Sequence, residues 1–157
     1  MHMLFTRSTA YLLLRLVIGG LFVFAGALKL ADPSAFAMAI DGYGLVSWST
    51  AKLLSRALPI VEIAAGLGLI LDFRGALALI VVQLLVFLAV VGYAVHLGLD
   101  VDCGCFGPQA AKPGEGAGSL KETLLRDGAM LVGCAVMYWQ RWVSGRRPRS
   151  VLRPFAR

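Results

Sequence analysis

The stretch Gly75 to Leu99, "GALALIVVQLLVFLAVVGYAVHLGL", decides the fold. Only Gln83 and His96 interrupt its hydrocarbon character, and it exceeds the roughly 20 residues a helix needs to cross a bilayer core of about 30 Å. In that setting every backbone N–H must find its acceptor within the segment, so the stretch reads as a transmembrane helix. Three more runs resemble it: Ala10 to Leu30, Leu53 to Leu71, and about Leu125 to Val143. The second of the four, which contains Pro59 and Glu62, is the weakest on hydropathy.

Composition supports a protein of the bilayer. Of 157 residues, 59% are hydrophobic and 15% charged, against about 25% charged in a soluble domain. The expected architecture is all-α: a single four-helix transmembrane bundle over residues 1–145, followed by a basic tail at 146–157. Arg7, an apolar core and Ala25-Gly26-Ala27 would also suit a cleaved secretory signal. The charge pattern fits four retained spans better.

Arg7, Arg74, Arg141, Arg146, Arg147, Arg149, Arg153 and Arg157 lie at the chain ends or in the short second connection. With four spans these places share one side, which the positive-inside rule makes cytoplasmic. Both termini then face the cytoplasm of a bacterial inner membrane, and the two long connections face outward. The net charge of +6 comes mostly from "RWVSGRRPRSVLRPFAR" at 141–157, a juxtamembrane anchor suited to anionic lipid and not a nucleic-acid site.

The first long connection, "DPSAFAMAIDGYGLVSWS" at 32–49, places Phe36, Ile40 and Tyr43 at i, i+4 and i+7. That spacing suits either a short helix on the membrane surface or a loop with scattered apolar residues. Small residues four apart, Ala64 and Gly68, Ala94 and Gly98, Ala129 and Gly133, are candidates for close helix approach. On the first span Arg15, Gly19, Phe22, Gly26 and Lys29 form one stripe, which should face protein.

Glu62 sits mid-span, where a bare charge costs on the order of 2.5–3.5 kcal/mol. Arg15 is its expected partner, Lys29 being near enough to the outer surface to snorkel. Arg126 and Asp127 open the fourth span and are expected at the interface.

"DCGCFG" at 102–107 carries Cys103 and Cys105, one glycine apart and outward-facing. In an oxidising compartment such a pair tends to form or exchange a disulfide. Gly104 supplies the freedom a tight ring needs, and a strained exposed disulfide is a labile one. Two thiolates in a C-x-C pattern also suit soft metals such as Cu(I), although four-ligand zinc would need partners beyond Asp100, Asp102 and His96. No metal site is expected. If the third helix ran on to the motif, Tyr93, His96, Asp100 and Cys103 would share a face, and His96 with Asp100 could relay protons. The nearby Asp100 and Asp102 disfavour a thiolate on Cys103 more than on Cys105, so Cys105 is the expected attacker. Cys134, deep in the last span, reads as a packing residue.

These features resemble the DoxX-like membrane proteins and, within them, the methylamine-utilisation type MauE. The resemblance rests on Arg15, Gly19, Gly26, Lys29, Phe36, Tyr43-Gly44-Leu45, Pro59, Glu62, Gly66, "CGCFG" at 103–107 and Leu125-Arg126-Asp127. It implies a four-helix membrane protein of thiol redox chemistry, working with a periplasmic thioredoxin-like partner on a disulfide-rich client such as an amine dehydrogenase. No cofactor is evident, and no motif marks a quinone site. A non-catalytic assembly scaffold and a soft-metal transporter stand as alternatives.

Overall fold

The computed structural model describes residues 2–98 and 116–145, with side chains from 9 to 98 and from 122 to 145. All regular structure there is helical: α1 (His2–Ala31), α2 (Pro33–Gly42), α3 (Trp48–Ile70), α4 (Ala76–His96) and α5 (Gly116–Ser144). Within α1, the stretch Thr9–Ala31 is long and apolar enough to cross a membrane, as are α3 and α4. The remaining long helix, α5, carries Glu122, Arg126 and Asp127 toward one end and Gln140 and Arg141 toward the other, which dilutes its apolar centre.

Large apolar side chains point outward all round. Val17 and Phe24 on α1, Leu53 and Ile60 on α3, Val82 and Val86 on α4, and Val132 and Trp142 on α5 are each more than half exposed. So large an apolar exterior would aggregate in water and is at home in hydrocarbon. Inside, Ile18, Leu69, Leu77, Ile80, Cys134 and Met137 form a core shared by α1, α3, α4 and α5. Cys134 is fully buried with a free thiol, as its packing role requires.

The closest seam lies between α1 and α3. A Cβ on Gly66 would come within 2.6 Å of the Gly19 carbonyl oxygen, and one on Gly26 within 2.8 Å of the Pro59 carbonyl oxygen. This pairing makes the two helices antiparallel. The small-residue pairs expected at such seams hold only in part. Gly68 lies against Ala76 and Gly133 against Ile18, but Ala64 and Ala129 are exposed and Gly98 falls in the turn after α4.

The connections are set locally. Asp32 caps α2, accepting from the Ala35 N–H at 3.0 Å and the Ser34 hydroxyl at 2.6 Å, and Pro33 takes the first helical position, where a missing N–H costs nothing. Of the two alternatives for 32–49, a short helix and a loop, the helix forms over Pro33–Gly42, with Phe36 buried. The α3–α4 turn uses Asp72 at φ 59° and Gly75 at φ 92°, positive values that aspartate and glycine tolerate better than most residues.

The two bonds at the cap hold the Asp32 carboxyl below its ordinary pKa, the Ser34 hydroxyl contributing most. A depressed folded pKa gives stability that is present above the unfolded value and lost as pH falls through the folded one. Asp32→Ala is expected to lower the melting temperature modestly at pH 7. That deficit should shrink once pH drops below about 3.9. Melting curves of the two proteins against pH check this.

Candidate functional site

Two polar clusters lie apart along the bundle. At the end where α3 turns into α4, Asp72 gathers three side chains. The Tyr11 hydroxyl donates to its Oδ1 at 2.8 Å, Arg141 Nη2 reaches the same oxygen at 3.0 Å, and Arg15 Nη1 lies 3.4 Å from Oδ2. Arg141 Nε also donates to the Tyr11 hydroxyl at 2.9 Å. One turn residue thus ties α1 to α5.

The second cluster lies toward the α2 end. Lys29 and Glu62 form an ion pair at 2.6 Å, their side chains 3% and 4% exposed. The Lys29 ammonium also sits over the Phe87 ring, 4.6 Å from its centroid, and 5.2 Å from that of Phe36. These faces add cation–π attraction where water is excluded. From α5, Asp127 is buried, takes Nε and Nη2 of its half-buried neighbour Arg126 at 3.2 Å each, and interacts electrostatically with both Lys29 and Glu62. All four charged residues line one cavity of about 40 Å³. Two cations meet two carboxylates there, so the cluster is charge-balanced.

This corrects the expected partnership of Arg15 with Glu62. In the α1–α3 seam Gly19 faces Gly66 and Gly26 faces Pro59, so Val23 is level with Glu62. Lys29 then lies about six residues, roughly 9 Å, to one side, and Arg15 about eight, roughly 12 Å, to the other. Helical Cα–Cβ bonds tilt toward the helix N-terminus. In antiparallel helices this leans Lys29 and Glu62 toward each other, whereas Arg15 leans away, toward Asp72. Lys29 therefore turns inward and does not snorkel. α5 begins at Gly116, ahead of the expected start near Leu125, so Arg126 and Asp127 stand inside the helix, Asp127 buried and Arg126 partly exposed.

α4 ends at His96, with Leu97 as its C-cap and Gly98 at φ 65°. The left-handed residue stops the helix, so the face shared by Tyr93 and His96 does not continue as helix toward position 100. His96 is exposed at that end. Asp100, Cys103 and Cys105 lie outside the described residues. Among the described residues no three His, Cys, Asp or Glu side chains gather as a metal site.

Asp72, Tyr11 and Phe87 belong to no motif in the sequence. A lone acid in a turn otherwise marked by Arg74 was the available signal for Asp72. Nothing in the sequence singled out Phe87 from the other aromatic residues of the spans.

Helices with hydrocarbon exteriors, two of them joined by a buried Lys29–Glu62 ion pair, define an integral membrane protein. The arrangement fixes helix register and balances charge in an apolar interior. Within that class, the chain belongs to the family of the methylamine utilisation protein MauE, whose family model matches residues 7–140. No curated protein and no solved structure matches it.

Proposed function

We propose that this protein is a membrane thiol–disulfide exchanger of methylamine utilisation, in which Cys103 and Cys105 cycle between dithiol and disulfide. The observation that carries the reading is the family match, which runs from residue 7 to 140 and so takes in "CGCFG" along with the helices on either side. In this reading all four long helices span a bacterial inner membrane. Both termini and the α3–α4 turn, with Arg7, Arg74 and the arginines from 141 onward, lie in the cytoplasm. The cysteines, seven and nine residues beyond the end of α4, then lie on the periplasmic side.

The partner is a periplasmic thioredoxin-like protein, and the client a disulfide-rich enzyme such as an amine dehydrogenase. When the pair is reduced, the Cys105 thiolate attacks a partner disulfide, forming a mixed disulfide and releasing one partner thiolate. Cys103 then attacks Cys105, closing the Cys103–Cys105 bond and releasing the second. The partner gains two electrons and the pair loses two; the reverse sequence oxidises the partner. Either direction needs only a labile bridge.

The test is to trap the intermediate. Cys103→Ser keeps the attacking thiol and removes the resolving one, so it should hold a thioredoxin-like protein in a mixed disulfide identifiable by mass spectrometry. Cys105→Ser should trap far less, and the double serine variant none. Normal client maturation by the double variant would show a scaffold instead of an exchanger.

A further inference from the structure

The Asp72 cluster holds one more positive charge than negative. Two guanidiniums, Arg15 from α1 and Arg141 from α5, share its single carboxylate, and no other acid among the described residues pairs with either. The sharing is unequal. Arg141 bonds both the Tyr11 hydroxyl and Asp72 Oδ1, whereas Arg15 meets the carboxylate only through Nη1, 3.4 Å from Oδ2. Nη2 of Arg15 and Nη1 of Arg141 thus keep free N–H groups, and unlike the sealed Nε of Arg15 neither atom is closed off from the surface. The two side chains are only 20% and 12% exposed, so water screens the surplus charge incompletely.

Their position limits what can neutralise it. Both α3 and α4 are long and apolar enough to cross a membrane, and residues 71–75 alone join them, so the turn that carries Asp72 lies at a membrane face. Arg74, exposed in the same turn, adds a further cation nearby. Hydrocarbon surface adjoins these charges: Leu12 and Leu16, next in sequence to Tyr11 and Arg15, are 43% and 45% exposed, and Leu71 beside Asp72 is 50% exposed.

We propose that Arg15 and Arg141 together bind the phosphate of an anionic phospholipid, whose acyl chains lie along the exposed leucines beside them. A guanidinium offers phosphate two parallel N–H groups in a fixed fork, which an ammonium does not. Tyr11 and Asp72 already hold Arg141 in place, so little ordering is left for binding to impose. The ammonium of a zwitterionic headgroup would be repelled by Arg74, and free phosphate would leave the leucines uncovered. Bound here, the lipid bridges α1 and α5 and stabilises the bundle by linkage. The basic tail draws anionic membrane in general, whereas this site holds one lipid at one place. Neither cysteine takes part, so the site stands or falls apart from the thiol-exchange reading.

Full-length protein in detergent, titrated with short-chain phosphatidylglycerol, phosphatidylcholine or inorganic phosphate, tests the site by native mass spectrometry and thermal melting. Phosphatidylglycerol should bind saturably and raise the melting temperature, and phosphatidylcholine should bind about tenfold more weakly, the scale of one lost charge-assisted contact. Arg15→Gln leaves Asp72 its bonds to Tyr11 and Arg141, so it should fold, yet it should also bind phosphatidylglycerol about tenfold more weakly than wild type. Asp72→Asn should move the two readouts in opposite directions. Its melting temperature without lipid should fall, while its affinity for phosphatidylglycerol should rise, because asparagine tolerates the positive φ but no longer competes as an anion for the arginines. The basic tail is present in every variant and cannot produce these differences. Equal affinity for the two lipids, wild-type binding by Arg15→Gln, or no gain in affinity by a folded Asp72→Asn would overturn the proposal. So would an equal melting shift from inorganic phosphate, which would make the occupant a free anion.

Discussion

Replacing Lys29 with methionine will cost the protein roughly 3–5 kcal/mol of stability, the penalty for breaking a buried ion pair from one side. The Glu62 carboxyl would then have to take up a proton or stand as a charge at mid-bundle. Insertion energetics, at about 2.5–3.5 kcal/mol for a central charge, point to the same size of effect. Neutral hydrogen bonds between membrane helices average only about 0.6 kcal/mol, so the loss comes from the stranded charge and not from the bond itself. The Lys29–Glu62 contact is 2.6 Å long with both side chains almost wholly buried, and two phenyl rings enclose the ammonium. Solvent cannot rescue either partner. Lys29→Met/Glu62→Leu should recover most of the loss, because an apolar pair of similar volume removes both charges together. Thermal melts of wild type, both single variants and the double variant in detergent give the coupling energy; additive single losses would show that the two side chains act independently.

That pair also marks how far the sequence could be read. Period, length and charge placed four long helices near their observed positions, because crossing hydrocarbon leaves the backbone few options. The stripe of Arg15, Gly19, Gly26 and Lys29 was legible as a protein-facing side of α1 for the same reason. What could not be read was register. Glu62 had two cations on one stripe, and the choice between them depended on which α1 residue lies level with it. The Gly19–Gly66 and Gly26–Pro59 contacts fix that level, but they belong to the packed pair of helices and not to either segment alone. The Asp72 cluster was hidden similarly, since Tyr11 and Arg141 are 130 residues apart and meet only when α1 and α5 are brought to one end.

The same seam yields the second large effect. Gly66→Ala adds one methyl group, yet its carbon would lie 2.6 Å from the Gly19 carbonyl oxygen, 2.9 Å from Val23 Cγ2 and 3.0 Å from the Val23 backbone nitrogen. Two of these atoms are backbone, so no side-chain rotation relieves the contact and α1 must move away from α3. Overpacking of this kind costs about 1–3 kcal/mol. Here the displacement also lengthens the Lys29–Glu62 contact, which pushes the expected loss to the top of that range. The matching change at Gly19 meets Ile70 Cγ1 at 2.7 Å and the Gly66 carbonyl oxygen at 2.8 Å. Once one alanine has parted the helices the second finds room, so Gly19→Ala/Gly66→Ala should cost less than the two single losses combined. Gly92→Ala is the control: nothing lies within 4 Å of its added carbon, and helix propensity favours alanine by about 1 kcal/mol. Melting temperatures should therefore fall sharply for Gly66→Ala and hold or rise for Gly92→Ala; equal behaviour of the two would mean that α1 and α3 are not in backbone contact at this seam.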